Sequence, residues 1–216
     1  MPKKNTTSLD FLRFSLSAQV LRFGSFTTKA GRLSPYFFNA GLFNSGALLN
    51  QLGAFYATTI ENSCPPFDML FGPAYKGIPL VTTAATALAQ HHNRDIPVAY
   101  NRKEAKDHGE GGNLIGAPVQ GRVIIIDDVI SAGTSIKESA KWIEEAGATL
   151  SGVVIALDRQ ERGSGALSAT QEVEQVLGVP VTAIANLEDL IDMLANDPEA
   201  ESSLAAIQEY RDQYGA

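Results

Sequence analysis

The chain has a single cysteine, Cys64, only three histidines and no long apolar run. One cysteine excludes an intrachain disulfide, and the start MPKKNTTSLDFLRF lacks the roughly 7–15-residue apolar stretch and small-residue cleavage site of a secretory leader. No stretch approaches the length that spans a bilayer. The expected setting is therefore a reducing cytoplasm, where the Asn5-Thr6-Thr7 sequon has no route to glycosylation. Positive charge is also in short supply. Lys and Arg number 17 against 24 Asp and Glu, a net charge of −7, so binding through neutralised nucleic-acid phosphates would work against the protein's own field. Neither nucleic acid nor membrane is an expected partner. Two phosphate-binding motifs are missing as well. GxxxxGK[ST] does not occur, and Gly109 and Gly111 are followed by Leu114 where GxGxxG needs its third glycine.

What is present is enough apolar material for one substantial core: 216 residues, 44% of them hydrophobic. A single domain over 1–216 is expected. Leu9, Leu12, Leu16, Val20 and Phe23 share one helical face, and Gly24 is placed to end that helix. SFTTK and SPYFFNAG, separated by Ala30-Gly31-Arg32, read as two strands around a turn, a small N-terminal hood drawn mainly from about 8–41. Strands and helices then alternate: helix 47–60, strand 67–71, helix 78–90, strand 96–100, strand 123–126, helix 136–146, strand 152–157, a helix near Gln171 and strand 181–185. This predicts an α/β fold, with a central mainly parallel sheet flanked by helices on both faces. The last thirty residues read as one or two surface helices. The one composition shift is a polar, glycine-containing run at about 102–112.

The segment VIIIDDVISAGTS at 123–135 carries the chemistry. In such sheets ligands sit beyond the carboxyl ends of the strands, where loops enter helix N-termini. Here an apolar strand ends at Asp127 and Asp128, and Ser131, Ala132, Gly133, Thr134 and Ser135 lead into a helix faced by Ile136, Ala140 and Ile143. Small residues let the backbone approach a phosphate, and the helix start offers unpaired N–H groups and partial positive charge. Ser131, Thr134 and Ser135 can add hydroxyl donors, although Ser135 and Glu138 also have capping-box spacing. Two adjacent carboxylates at a sheet end repel and lose hydration unless something compensates. Sugar hydroxyls donating to them do so, with a nearby Mg²⁺ lowering the repulsion further. Because successive strand residues face opposite ways, separate roles in holding sugar are favoured over a two-carboxylate metal clamp. The segment reads as the site of a ribose 5-phosphate.

The string resembles the signature of the type I phosphoribosyltransferases, which bind 5-phosphoribosyl 1-diphosphate (PRPP) with Mg²⁺. FTTKAGRLSPYFFNAG at 26–41, GPAYKGIPL from Gly72 and RKEAKDHGEGG from Arg102 resemble the orotate phosphoribosyltransferases, over about Leu21 to Arg159. The resemblance implies the type I phosphoribosyltransferase fold, and transfer of phosphoribosyl from PRPP to orotate in pyrimidine (UMP) biosynthesis. It implies PRPP contacts from Lys29, Tyr75, Lys76, Asp127, Asp128, Val129, Ile130, Ser131, Ala132, Gly133, Thr134 and Ser135. It also implies base contacts from Phe37, Phe38, Ser131 and Arg159. The family more often has threonine where Ser131 stands, and the hydroxyl survives. An apolar wall and a guanidinium fork suit a planar carboxylated base.

Within the same resemblance, Arg102, Lys103, Lys106 and His108 contact PRPP from a mobile loop at about 102–112. Lys103 reaches the neighbouring subunit's site, which implies a homodimer. Cations brought over a departing diphosphate stabilise the transition state more than the ground state, and the glycines would let the loop close over it. Lys103, Lys106, His108, Asp127 and Asp128 are thus the expected catalytic set. Mg²⁺ is carried by PRPP rather than by a protein site. A purine phosphoribosyltransferase fits the hood and Arg159 poorly, and a PRPP-sensing regulator predicts a basic module that this acidic chain lacks.

Overall fold

The computed structural model describes residues 6–28, 31–106, 112–163 and 165–216. Six strands form one sheet in the order β5-β4-β3-β6-β7-β8. They are β3 (Met69–Gly72), β4 (Val98–Lys106), β5 (Gly112–Gly116), β6 (Arg122–Asp127), β7 (Thr149–Asp158) and β8 (Val181–Asn186). All neighbours run parallel except β5, which returns antiparallel along β4. The mainly parallel α/β sheet is thus as expected, with β5 an edge strand that the sequence did not announce.

Parallel strands need crossovers, and α3 (Gly77–His92), α4 (Thr134–Glu145) and α5 (Ala169–Leu177) supply them between β3 and β4, β6 and β7, and β7 and β8, while α2 (Gly46–Ser63) leads from the hood into β3. Strand alternation divides the interior between the two faces of the sheet. Leu70, Ile124, Ile126, Val154 and Ala156 point toward α1 (Thr6–Ser17), α2, α3, α6 (Leu187–Ala195) and α7 (Glu201–Tyr214). Met69, Phe71, Val123, Ile125, Val153 and Ile155 point toward α4 and α5. Both faces being covered explains why these strands read as unbroken apolar runs.

The hood is an antiparallel pair, β1 (Leu21–Thr27) and β2 (Leu33–Phe38). Here the sequence reading needs correction, because the first helix stops at Ser17 and Leu21 to Phe23 already belong to β1. Gln19 takes the left-handed conformation at φ 58°, while Val20 N–H bonds Ser15 O and Gln19 N–H bonds Leu16 O. This is a Schellman stop with glutamine where glycine usually signals it. The C-terminal helices are likewise more than surface cover. Leu187, Leu190, Ile191 and Leu194 of α6 and Ile207 and Tyr210 of α7 are buried in the core that carries the hood. Finally, the polar run from 102 begins as strand: residues 101–106 continue β4, and Lys106 pairs with Gly112 of β5.

Candidate active site

The carboxyl ends of β3, β6 and β7 open beside the hood around a cavity of about 490 Å³. Its wall includes Phe37, Phe38, Lys76, Val129, Ile130, Ser131, Ala132 and Arg159, eight of the residues expected at the site. Five cationic residues border it, Arg32, Lys76, Lys137, Arg159 and Arg162, against three acidic ones, Asp158, Glu161 and Glu172. The chain is acidic, so the cavity inverts the sign of the whole molecule and favours an anionic occupant.

At the β3 end, residues 73–76 lead straight into α3. The two meet backbone to backbone: a side chain on Gly72 would collide with the Gly77 carbonyl, and a Cβ on Gly77 would lie 2.6 Å from Pro73. The Ala74–Tyr75 peptide is cis, and Ala74 N–H donates to Oδ1 of the buried Asn101 at 2.8 Å. Tyr75 is largely exposed. Lys76 reaches across to β6, its ammonium donating to Asp128 Oδ2 at 2.7 Å.

At the β6 end both aspartates are buried, and they turn to different partners. Asp127 accepts from Asp128 N–H at 2.9 Å and from the Ser135 hydroxyl at 3.0 Å. Asp128 accepts from Val129 N–H at 2.9 Å as well as from Lys76. Burial first, then the charge of Asp128, push the Asp127 carboxyl up to about 6, against the pull of its hydrogen bonds and of Lys76. Tyr56 braces this corner from α2, donating to the Asp127 carbonyl at 2.7 Å. Gly133 caps α4 in the left-handed conformation with no side-chain cap bond, so Ser135 serves Asp127 and not the helix start. Thr134 and Ser135 are exposed at that start.

At the hood end the two phenylalanines occupy opposite sides of β2. Phe38 packs inward against Phe11 and Phe43, while Phe37 stacks on Phe26 at 5.3 Å. Arg159, just past β7, lies over the Tyr36 ring at 4.2 Å, bonds Ser34 Oγ at 3.0 Å and pairs with Glu161 at 2.6 Å. Arg102 is half-buried in β4. Lys29 and His108 lie outside the described residues, as do the side chains of Lys103 and Lys106. Asp127, Asp128, Tyr75, Gly133, Thr134 and Ser135 flank the cavity without being part of its wall.

Sequence reasoning missed Arg32, Ser34, Tyr36, Asn101, Lys137 and Glu161. Lys137 had a usable signal, since it stands one turn into α4 after the small-residue loop. The others meet the site only through long-range packing. Among the described residues no group of three or more His, Cys, Asp or Glu gathers to hold a metal. The two buried carboxylates suit a cation that arrives with other oxygen ligands, because Mg²⁺ is commonly held by one or two carboxylates plus substrate phosphates.

A family model described as the phosphoribosyl transferase domain matches residues 45–165. Orotate phosphoribosyltransferase of Cronobacter sakazakii is 62% identical over 205 residues, 95% of this chain and 96% of that protein. The Pseudomonas fluorescens protein of the same name is 60% identical over 207 residues, 95% and 97% of the two chains. The crystal structure of Francisella tularensis orotate phosphoribosyltransferase superposes with a TM-score of 0.87 at 43% identity, covering 96% of this chain and all of that one.

Proposed function

Because the chain belongs to the orotate phosphoribosyltransferases, we propose that its cavity holds Mg²⁺-bound PRPP and orotate end to end and joins them directly. The activity is phosphoribosyl transfer from PRPP to orotate, giving orotidine 5′-monophosphate and diphosphate. One observation carries the reading: a single cavity is bordered by residues 129–132 and Lys76 on one side, and by Phe37, Phe38 and Arg159 on the other.

The loop 129–135 holds the 5′-phosphate on backbone N–H groups and the hydroxyls of Ser131, Thr134 and Ser135. Asp127 and Asp128 accept from the ribose hydroxyls. Lys29, Tyr75 and Lys76 hold diphosphate, with Arg102, Lys103, Lys106 and His108 closing over it. Phe37, Phe38, Ser131 and Arg159 orient the base. As the bond from the anomeric carbon to the diphosphate oxygen breaks, the ribose gains oxocarbenium character and orotate N1 forms the new bond. Positive charge around the leaving group then gains interaction as negative charge grows there, while fixed placement of both reactants removes the entropy of encounter. Mg²⁺, when bound with PRPP, supplies further neutralisation of the diphosphate, and Asp127 and Asp128 are the carboxylates at hand for it. The chain acts as one domain in a cytoplasmic homodimer whose Lys103 serves the neighbouring subunit.

Orotate absorbance followed with PRPP and Mg²⁺ tests the reading. Loss of orotate that requires PRPP is expected, with no consumption of purine bases. Consumption of a purine in place of orotate would defeat it.

A further inference from the structure

Arg159 can orient a base only if its own guanidinium is held, since a free arginine side chain must give up its rotamer entropy to do so. The structure shows how one edge is gripped. Nε donates to Glu161 Oε1 at 2.7 Å, Nη2 donates to Ser34 Oγ at 3.0 Å and stands 2.6 Å from Glu161 Oε1, and the plane rests on Tyr36. Glu161 is held in its turn. The Tyr210 hydroxyl of α7 donates to Oε1 at 3.0 Å, and Arg32 Nη1 stands 3.5 Å from Oε2. Tyr210 also sets its edge against Tyr36, with ring centroids 6.2 Å apart at 86°.

Glu161, Arg159 and Arg32 border the cavity and Tyr210 does not. Two guanidiniums and one carboxylate leave a single positive charge, matched to one ligand carboxylate. Stability alone is a poor account of this cluster, because a buried ion pair is often no more stabilising than apolar residues of similar volume.

We infer that Glu161 and Tyr210 are positioning residues for the acceptor base, fixing the Arg159 guanidinium so that its remaining N–H groups meet the orotate carboxylate. This rests on the assignment of Arg159 to the base and deepens it. The C-terminal helix, outside the matched 45–165 region, thereby becomes part of the acceptor site.

The test measures KM for orotate and for PRPP separately in Arg159→Ala, Glu161→Gln, Tyr210→Phe and the Glu161→Gln/Tyr210→Phe double variant, each shown folded by its thermal transition. Glu161→Gln should raise orotate KM about tenfold, as for loss of one charge-assisted hydrogen bond, with PRPP KM within about twofold. Tyr210→Phe should raise orotate KM several-fold and add little once Glu161 is Gln, as members of one network do. Equal rises for both substrates, or full additivity, would overturn the inference. If Glu161→Gln does not fold, Tyr210→Phe decides alone, and an unchanged orotate KM overturns it. An unchanged orotate KM in Arg159→Ala would remove the underlying base assignment. A raised value there beside unchanged Glu161→Gln and Tyr210→Phe removes this inference only.

Discussion

At Asp127 the fold moves a carboxyl from its ordinary range to about 6 by burying it beside Asp128. A carboxyl whose folded value is raised contributes stability that is fully present below its unfolded value near 4 and is lost as pH rises through about 6. The shift corresponds to about 2–3 kcal/mol. Asp127→Asn should therefore gain stability relative to the parent protein by about that amount between pH 4 and 7, measured by denaturant unfolding at each pH. In the proposed site ribose hydroxyls donate to the ionised form, so donor binding should expel a proton near pH 6. The acid limb of kcat/KM for PRPP should accordingly flatten in the variant. A parallel pH dependence in the two proteins would show that Asp127 does not titrate there. At this scale the sequence displayed the pair of aspartates but not their separation onto Ser135 and Lys76. Strand alternation turns the two side chains to opposite faces, but it does not say which neighbouring element, α4 or the start of α3, each one meets.

Among elements, the passage from β6 to α4 is the one on which the proposed donor site depends, and its pivot is Gly133. Its φ of 67° is unfavourable for a residue with a Cβ, and an added Cβ would lie 2.5 Å from Val173 Cγ2 on α5. Gly133→Ala should destabilise the protein by about 2 kcal/mol or more and raise PRPP KM, measured by urea unfolding and steady-state kinetics. Val173→Ala in the same chain should recover part of the stability by removing the collision, whereas no recovery would place the cost in the backbone alone. This element was legible in the sequence, because an apolar strand, a small-residue loop and an amphipathic helix follow one another without interruption. The end of α1 and the edge strand β5 were not. One stops on a left-handed glutamine. The other pairs through backbone groups of a polar, glycine-containing run, which its side chains do not advertise.

For the molecule as a whole, the proposed subunit arrangement makes a prediction that no single chain can satisfy. Lys103→Ala should be nearly inactive alone, and Arg159→Ala nearly so at an orotate concentration near the parent KM. After subunit exchange, a hybrid dimer has one site in which both residues are intact, so activity should return to roughly a quarter of the parent level for random pairing. Persistent inactivity despite demonstrated exchange would assign Lys103 to its own subunit. Charge belongs to this scale too. A chain with net charge −7 gathers Arg32, Lys76, Lys137, Arg159 and Arg162 around one cavity, and composition alone, which pointed away from nucleic acid, gave no sign of that local reversal.

The sequence by itself determined the parallel α/β sheet, the strand–loop–helix layout at 123–135 and the resemblance that names orotate, because hydrophobic period, small residues and motif spacing are local properties of the chain. Only the tertiary structure decided that Glu161 joins Arg32 to Arg159, that Tyr210 of α7 closes this network, and that Phe37 and Phe38 face opposite sides of the hood. Residues such as Ser34 and Arg159, 125 positions apart in the chain, meet because the core folds the hood and α7 onto the ends of the strands. That juxtaposition arises from long-range packing, which leaves no period or motif in the sequence.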